Sequence, residues 1–289
     1  MVKTISVALL GNPNTGKSSV FNTLTGLKQT IGNYPGVTVE KKIGSFGIDR
    51  TTNVQLIDLP GTYGLNTQSI DQSIVFDLLL NKNNKDFPDV VVVVADVENL
   101  KRNLLLFSQI KDLEIPTILA INMSDQLKSK GIEINVDKLE KELDTKVVLL
   151  SARKNKGFEI LKSEIKNYRN LSEKPAFDIN EIDPEYFTNL QKTFPGQSVY
   201  KLWLLITQDI NFSKLERNKI DDKGRFKTQT ESYLKKLQQR ETIKRYQIIN
   251  NLLKETYVKD DKKATGLRSV IDRVLLHSVW GYLIFFSIL

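Results

Sequence analysis

Eight residues near the start of the chain, Gly11-Asn12-Pro13-Asn14-Thr15-Gly16-Lys17-Ser18, restrict its fold more than any other stretch. Two glycines, a lysine and a serine at this spacing form the pattern of a phosphate-cradling loop. The flanks supply the context that the pattern requires. Ile5-Ser6-Val7-Ala8-Leu9-Leu10 reads as a buried strand, and Ser19-Val20-Phe21-Asn22-Thr23-Leu24 as a helix. A turn between such a strand and helix points its N–H groups and the positive helix end at one anion. Gly11 and Gly16 let the backbone curl tightly. Lys17 is placed to reach β- and γ-phosphates, and the Ser18 hydroxyl to ligate Mg²⁺.

Composition removes several other chemistries. The 289 residues contain no Cys, which excludes disulfides, thiolate metal sites and thiol nucleophiles. His277 is the single His, so a His-based zinc site and a Ser-His-Asp triad are excluded too. The length suggests two domains. Met1 runs directly into the first strand, leaving no room for a leader, so the N-terminal part is expected in the cytosol. The net charge is +8, and Arg225 to Lys263 holds eleven Lys/Arg against five Asp/Glu. Without interleaved exposed aromatics this segment reads as a solvated helix face, and nucleic acid is not the expected partner.

Further along, Gly26 to Thr30 is polar and loop-like, and Ile31 to Thr38 carries two glycines and a proline. No regular element is expected there, and the segment is a candidate switch loop. Its Thr38, about twenty residues after Lys17, has the chemistry to complete a Mg²⁺ shell. Two strands follow, Val39 to Ile48 and Asn53 to Ile57, the second ending in Asp58-Leu59-Pro60-Gly61. There Asp58 can hold a Mg²⁺-bound water and Gly61 N–H can meet a γ-phosphate. Gln68 to Asn81 reads as a helix. Asp89 to Asp96 is a β-branched run of the kind buried on both sheet faces. Leu100 to Leu113 is helical, and the strand Pro116 to Ile121 delivers Asn122-Met123-Ser124-Asp125. Asp125 is placed to accept from both N1 and N2 of guanine, which adenine cannot offer, and Asn122 to tie this loop to the phosphate loop. A helix over Val136 to Leu143 and a strand over Lys146 to Leu150 lead to Ser151-Ala152-Arg153, whose backbone is placed near the guanine carbonyl. Gly157 to Tyr168 closes the unit as a helix. These loops lie at the carboxyl ends of strands, where open α/β sheets bind ligands.

Past the linker Leu171 to Pro175 the strand signal stops. Helices are expected over Pro184 to Phe194, Ser198 to Asp209 and about Lys227 to Tyr257. In the last of these, Ile243, Tyr246, Ile249, Leu253 and Tyr257 share one stripe. Val274 to Leu289 is apolar and preceded by Lys262, Lys263, Arg268 and Arg273, which suits the cytoplasmic flank of a truncated transmembrane helix.

The motifs together resemble translation-factor-like small GTPases. Two stretches are more specific. Gly32-Asn33-Tyr34-Pro35-Gly36-Val37-Thr38-Val39-Glu40 and Asn99-Leu100-Lys101-Arg102-Asn103-Leu104 are similar to signatures of the ferrous iron transport protein B (FeoB) family, as is Ile271 through Tyr282. The resemblance implies an α/β P-loop GTPase domain over residues 1–170, with a mostly parallel six-stranded sheet and helices on both faces. It implies a small all-α helical domain over 171–266, of a type that stabilises GDP, and a juxtamembrane segment with the start of a transmembrane helix over 267–289.

By the same resemblance GTP or GDP binds along Gly11, Asn12, Pro13, Asn14, Thr15, Gly16, Lys17, Ser18 and Ser19. It also meets Gly36, Val37, Thr38, Asp58, Leu59, Pro60 and Gly61, and then Asn122, Met123, Asp125, Ser151, Ala152 and Arg153. Mg²⁺ falls to Ser18, Thr38 and, through water, Asp58. K⁺ falls to Asn14 with carbonyls of Gly32 to Tyr34, and Asn14, Lys17, Thr38 and Gly61 are the catalytic set. Thr62 stands where many GTPases place a water-orienting Gln, and Gly64 replaces a less flexible residue, so slow hydrolysis and a looser second switch are expected. Ser278 follows His277 where the membrane segment of the family has Pro. The expected activity is slow GTP hydrolysis that gates Fe²⁺ through a permease domain of the same protein at the cytoplasmic face of the bacterial inner membrane, with iron not bound in this segment. The alternative is a soluble GTPase acting on ribosome or tRNA.

Overall fold

The branched apolar run that opens the chain forms β1 (Lys3–Gly11), and its side chains are buried from Val7 onward. The computed structural model describes residues 3–26, 29–34, 39–65, 74–75, 78–207, 231–260 and 263–265. Helix α1 (Lys17–Thr25) follows β1, then β2 (Gln29–Asn33), β3 (Glu40–Gly47), β4 (Thr52–Asp58) and β5 (Val90–Asp96). Next come α2 (Leu100–Lys111), β6 (Thr117–Asn122), the short α3 (Leu127–Lys130), β7 (Ile132–Ile134) and α4 (Val136–Leu143). The chain continues with β8 (Val147–Leu149), α5 (Phe158–Lys166), α6 (Pro184–Thr193), α7 (Val199–Thr207), α8 (Glu231–Thr256) and β9 (Tyr257–Lys259). Of the helix expected over Gln68 to Asn81, residues 74–75 and 78–80 are described and helical.

The main sheet has the order β2-β3-β4-β1-β5-β6-β8. Strand β1 lies parallel to β4 on one side and β5 on the other, with Gly11 opposite Val94. Strands β3 and β2 add antiparallel at one edge. The sheet therefore has seven strands, where six were expected. The additional strand is β2, in a stretch whose composition predicts loop. Its five residues are all exposed and mostly polar, so no periodicity marks them. Pairing with β3, from Gln29↔Gly44 to Asn33↔Glu40, makes them a strand.

Alternation along β1 divides the core into two layers. Ile5, Val7 and Leu9 face a layer containing Val20, Phe21 and Leu24 of α1 and Leu161 and Ile165 of α5. Ala8 and Leu10 face the other, with Leu100, Leu104 and Phe107 of α2. This second layer continues without a break into Phe187, Leu190, Trp203, Leu204, Leu237 and Ile249 of the helical half. The helical half thus packs on the α2 side of the sheet.

Polar groups fix that junction. Arg245 of α8 pairs with Asp112 at 2.6 Å and with Glu241 at 2.8 Å, all three side chains nearly fully buried. It also donates to Ser108 Oγ at 3.2 Å. Glu241 accepts the indole N–H of Trp203 at 2.8 Å, and Asp112 accepts the main-chain N–H groups of Ala176 and Phe177. Beside it the buried Lys111 donates to the carbonyls of Asp144 and Ser172, and burial lowers the pKa of its ammonium.

The stripe expected on α8 holds in part, since Ile249, Leu253 and Tyr257 pack on the core. Its buried side runs through Leu237, Glu241, Arg245 and Ile249, while Ile243 is 59% exposed. A paired Glu and Arg at i, i+4 occupy positions where apolar residues alone were sought.

Tyr257, expected as the last turn of that helix, instead opens β9, which pairs antiparallel with β7 as a small second sheet. Gly131, at φ +63°, permits the crossing, since a Cβ there would lie 2.1 Å from the Asp260 carbonyl oxygen. Among the described residues no helix is long and apolar enough to cross a membrane. The expected segment 267–289 lies outside them.

Candidate nucleotide-binding site

The carboxyl ends of β1, β4, β6 and β8 bring four of the expected loops together. After β1 the backbone turns through left-handed residues at Asn14 (φ 69°) and Gly16 (φ 79°). Gly16 is required doubly, because a Cβ on it would sit 2.4 Å from Asn122 Nδ2. Thr15 is buried and donates from Oγ1 to the Asn12 carbonyl at 2.9 Å, closing the turn from inside. Helix α1 then starts at Lys17, with no side-chain cap and no acid in its first turn, so its positive end faces the loop. Ser18 and Ser19 are exposed on that turn, as are Pro13 and Asn14.

Lys17 is ion-paired with Asp58 at the end of β4. The next residues lie along the loop: Leu59 N–H donates to Leu9 carbonyl at 3.0 Å and Thr62 N–H to Gly11 carbonyl at 3.2 Å. Gly61 is close enough that a Cβ on it would be 3.5 Å from Pro13. Pro60 is half-buried and Leu59 fully buried.

The opposite wall is cross-linked by one side chain. Asn122 donates from Nδ2 to the Thr15 carbonyl at 3.1 Å and accepts at Oδ1 from Ala152 N–H at 3.1 Å. Met123 is left-handed (φ 63°), and Ser124 N–H meets the Leu150 carbonyl. Asp125 Oδ1 accepts from the Ser151 hydroxyl at 2.6 Å, and that hydroxyl accepts from Lys154 N–H at 3.2 Å. Ala152 is half-buried and Arg153 exposed at the rim. Ser151, expected to act through its backbone, also orients Asp125 with its side chain.

Other placements differ from expectation. Gly32 and Asn33 belong to β2, paired with Lys41 and Glu40, where loop is expected. Tyr34 is buried with its hydroxyl 3.5 Å from the Asp58 carbonyl, and burial followed by the Asp58 charge pushes its pKa up. Gly36, Val37 and Thr38 lie outside the described residues. Among the described residues there is no cluster of three His, Cys, Asp or Glu able to hold a metal.

Contacts that the sequence reading missed run from residues 58–65 to α2. The Arg102 guanidinium lies 3.8 Å over the Tyr63 ring, and Gln109 Oε1 accepts from Leu65 N–H at 2.9 Å. The legible signal was the pair Asn99 and Asn103 at helical spacing. Asn99 caps the Asp96 carboxylate and Asn103 Oδ1 accepts Asp96 N–H at 2.9 Å.

The family model described as Ferrous iron transport protein B matches residues 5–165. The chain belongs to the ferrous iron transport protein B family. The Fe(2+) transporter FeoB of Leptospira biflexa is 31% identical over 302 residues, covering 100% of this chain and 43% of that protein. The Fe(2+) transporter FeoB of Staphylococcus aureus (strain MSSA476) is 34% identical over 296 residues, covering 97% and 43%. The chain thus spans less than half the length of these FeoB relatives.

Among solved structures, the cytosolic domain of the T. maritima FeoB iron transporter in a GDP form matches with TM-score 0.77 and 30% identity, over 89% of this chain and 100% of that one. Its GMPPNP form matches with TM-score 0.77 over 90% of this chain and 100% of that one, at 30% identity. The likeness extends through the helical half, and the α/β part is the G-domain fold of the FeoB family.

Within the basic segment, three described cations are paired. Arg245 is buried in its ion pairs, and Lys244 and Lys263 are bridged to Glu181 and Glu133.

Proposed function

We propose that this chain is the GTP-binding, slowly GTP-hydrolysing cytoplasmic part of a ferrous iron transporter, with a G domain over 1–170 and a helical domain over 171–266. The observation that carries this reading is the span of Asn122 from Thr15 to Ala152. It sets the loop bearing Asp125 at a fixed distance from the phosphate loop, as a ligand with a base at one end and phosphates at the other requires. The GDP and GMPPNP named for the T. maritima relatives agree with it. Passage of Fe²⁺ through a membrane domain, gated by the nucleotide state at the inner membrane's cytoplasmic face, is the role we assign by kinship to FeoB.

The site's charges suit this ligand. An incoming β-phosphate would compete with Asp58 for Lys17, leaving the Asp58 carboxylate free to help hold Mg²⁺. Ser18 and Thr38 supply hard oxygen donors of the kind Mg²⁺ prefers. When bound, Mg²⁺ neutralises phosphate charge. Gly61, lying along Pro13, would offer its N–H to the γ-phosphate from the second-switch side. Thr62, whose hydroxyl donates to the Gly64 carbonyl, cannot orient the attacking water as Gln does, so backbone groups perform that task and turnover is slow.

Titration with GDP and ADP tests this reading. Tight binding of GDP with no comparable binding of ADP is expected. Lys17→Ala should weaken GDP roughly ten- to a hundredfold, the worth of a lost charge-assisted hydrogen bond. Equal affinity for the two nucleotides would remove the proposal.

We further propose that K⁺ beside the phosphates, held by Asn14, offsets transition-state charge. Replacing Na⁺ by K⁺ is expected to raise GTP turnover on the order of tenfold, a modest share of what such electrostatic stabilisation delivers. Asn14→Ala should abolish the difference. Turnover indifferent to both changes would exclude a K⁺ role.

A further inference from the structure

Beneath the phosphate loop lies a group of side-chain polar atoms to which the nucleotide reading gives no partner. Asn12 is only 3% exposed, and among the described residues neither its Oδ1 nor its Nδ2 has a hydrogen-bond partner. Asn103 of α2 is 1% exposed, and its Nδ2 has none either. Buried amide groups without partners cost free energy and are rare.

Three features bring these two residues to one place. Ala8 and Leu10 face the α2 layer, and Asn12 is the next alternate residue, just past the end of β1. Gly11 is opposite Val94 in the parallel register, which places Asn12 beside the end of β5. Asn103 Oδ1 is already held at that end, by Asp96 N–H at 2.9 Å.

We propose that Asn12 and Asn103 are a positioning pair for nucleotide binding: their carboxamides join as the loop closes on phosphate, locking it against α2. This rests on reading Gly11–Ser18 as the phosphate loop. The chemistry is self-complementary. Asn103 Nδ2 donates to Asn12 Oδ1, and Asn12 Nδ2 donates to the second lone pair of Asn103 Oδ1, whose first already serves Asp96. All three orphaned atoms are then satisfied. The Asn99 to Leu104 motif acquires a purpose beyond its turn: Asn103 engages the phosphate loop while Arg102, one residue before, engages Tyr63 of the second switch. One turn of α2 meets both nucleotide-sensing segments.

A double-mutant cycle on release of fluorescent methylanthraniloyl-GDP from the chain tests this. Asn12→Ala and Asn103→Ala are each expected to speed release about five- to tenfold, the worth of a net hydrogen bond or slightly more. The double variant should be no more than about twofold faster than the faster single one, because either change breaks the same pair. Without nucleotide, Asn12→Ala should melt no lower than wild type, since it deletes two unpaired buried atoms. With GDP its stabilisation should shrink.

Additive release rates, or an Asn12→Ala melting point lowered equally with and without GDP, would overturn the pairing while leaving the nucleotide reading intact. Should Asn103→Ala not fold, the melting comparison of Asn12→Ala with and without GDP decides the pairing by itself. A wild-type chain that binds no guanine nucleotide would overturn both proposals together.

Discussion

Asp125→Asn is expected to lower affinity for guanine nucleotides by roughly three to four orders of magnitude and to create affinity for xanthine nucleotides. The size follows from sites built around a substrate's N–H donors, which reject partners that do not match by roughly 10⁴ or more. Guanine presents N1–H and N2–H₂ on one edge, and a carboxylate accepts from both. Ser151 holds Asp125 Oδ1 at 2.6 Å, so the carboxylate is oriented before a base arrives. The substituted carboxamide keeps one acceptor and turns the other into a donor. That donor opposes guanine N2–H₂ and suits the 2-carbonyl of xanthine. Titrations with GDP and XDP provide the measurement, and undiminished GDP affinity in this variant would exclude Asp125 as the base selector.

The second large effect is on stability. Arg245→Ala should destabilise the chain by about 3–5 kcal/mol, the usual result of removing one member of a buried ion pair. The reason is what remains behind. Asp112 and Glu241 would both stay buried without their shared cation. Burial already pushes the Asp112 pKa up, with Arg245 the main influence opposing it. Losing Arg245 also uncovers the faces of Phe177 and Tyr200, over which its guanidinium lies at 5.0 and 4.8 Å. Urea unfolding followed by the fluorescence of Trp203, which bonds Glu241, reports directly on this junction. A midpoint unchanged from wild type would mean that the network is solvated rather than buried. The loss should be smaller for a combined Arg245→Met, Glu241→Gln variant, because fewer charges are stranded.

These two predictions draw on parts of the chain that differed greatly in how readable they were. The phosphate loop, β5 and β6 were legible because their residues admit few alternatives. Five consecutive valines at 90–94 suit only a strand covered on both faces. The tie from Asn122 to the phosphate loop was legible as well, because a buried Asn at a strand end needs a partner and a main-chain carbonyl was the one on offer.

What escaped the reading has a common cause: long-range pairing that leaves no periodicity. Strand β2 contains Gln, Thr, Gly and Asn around a single Ile, and only β3 makes it regular. Glu241 and Arg245 look from sequence like a solvated helical pair. Their burial depends on Asp112, more than a hundred residues earlier, and on the indole N–H of Trp203. Ile243 was misplaced for the complementary reason: an apolar residue on a long helix was assumed to face inward, and a charged face had taken that side. The side-chain role of Ser151 was invisible for want of any pattern linking it to Asp125.

Helix α2 has a further consequence. It is a party wall: Arg102 and Gln109 lean on the second-switch side, Ser108 and Asp112 on the helical half. Its tenants cannot renovate separately, since protein interiors compress little and transmit strain. A substitution chosen to tune either occupant's rooms will be heard through the plaster by the other.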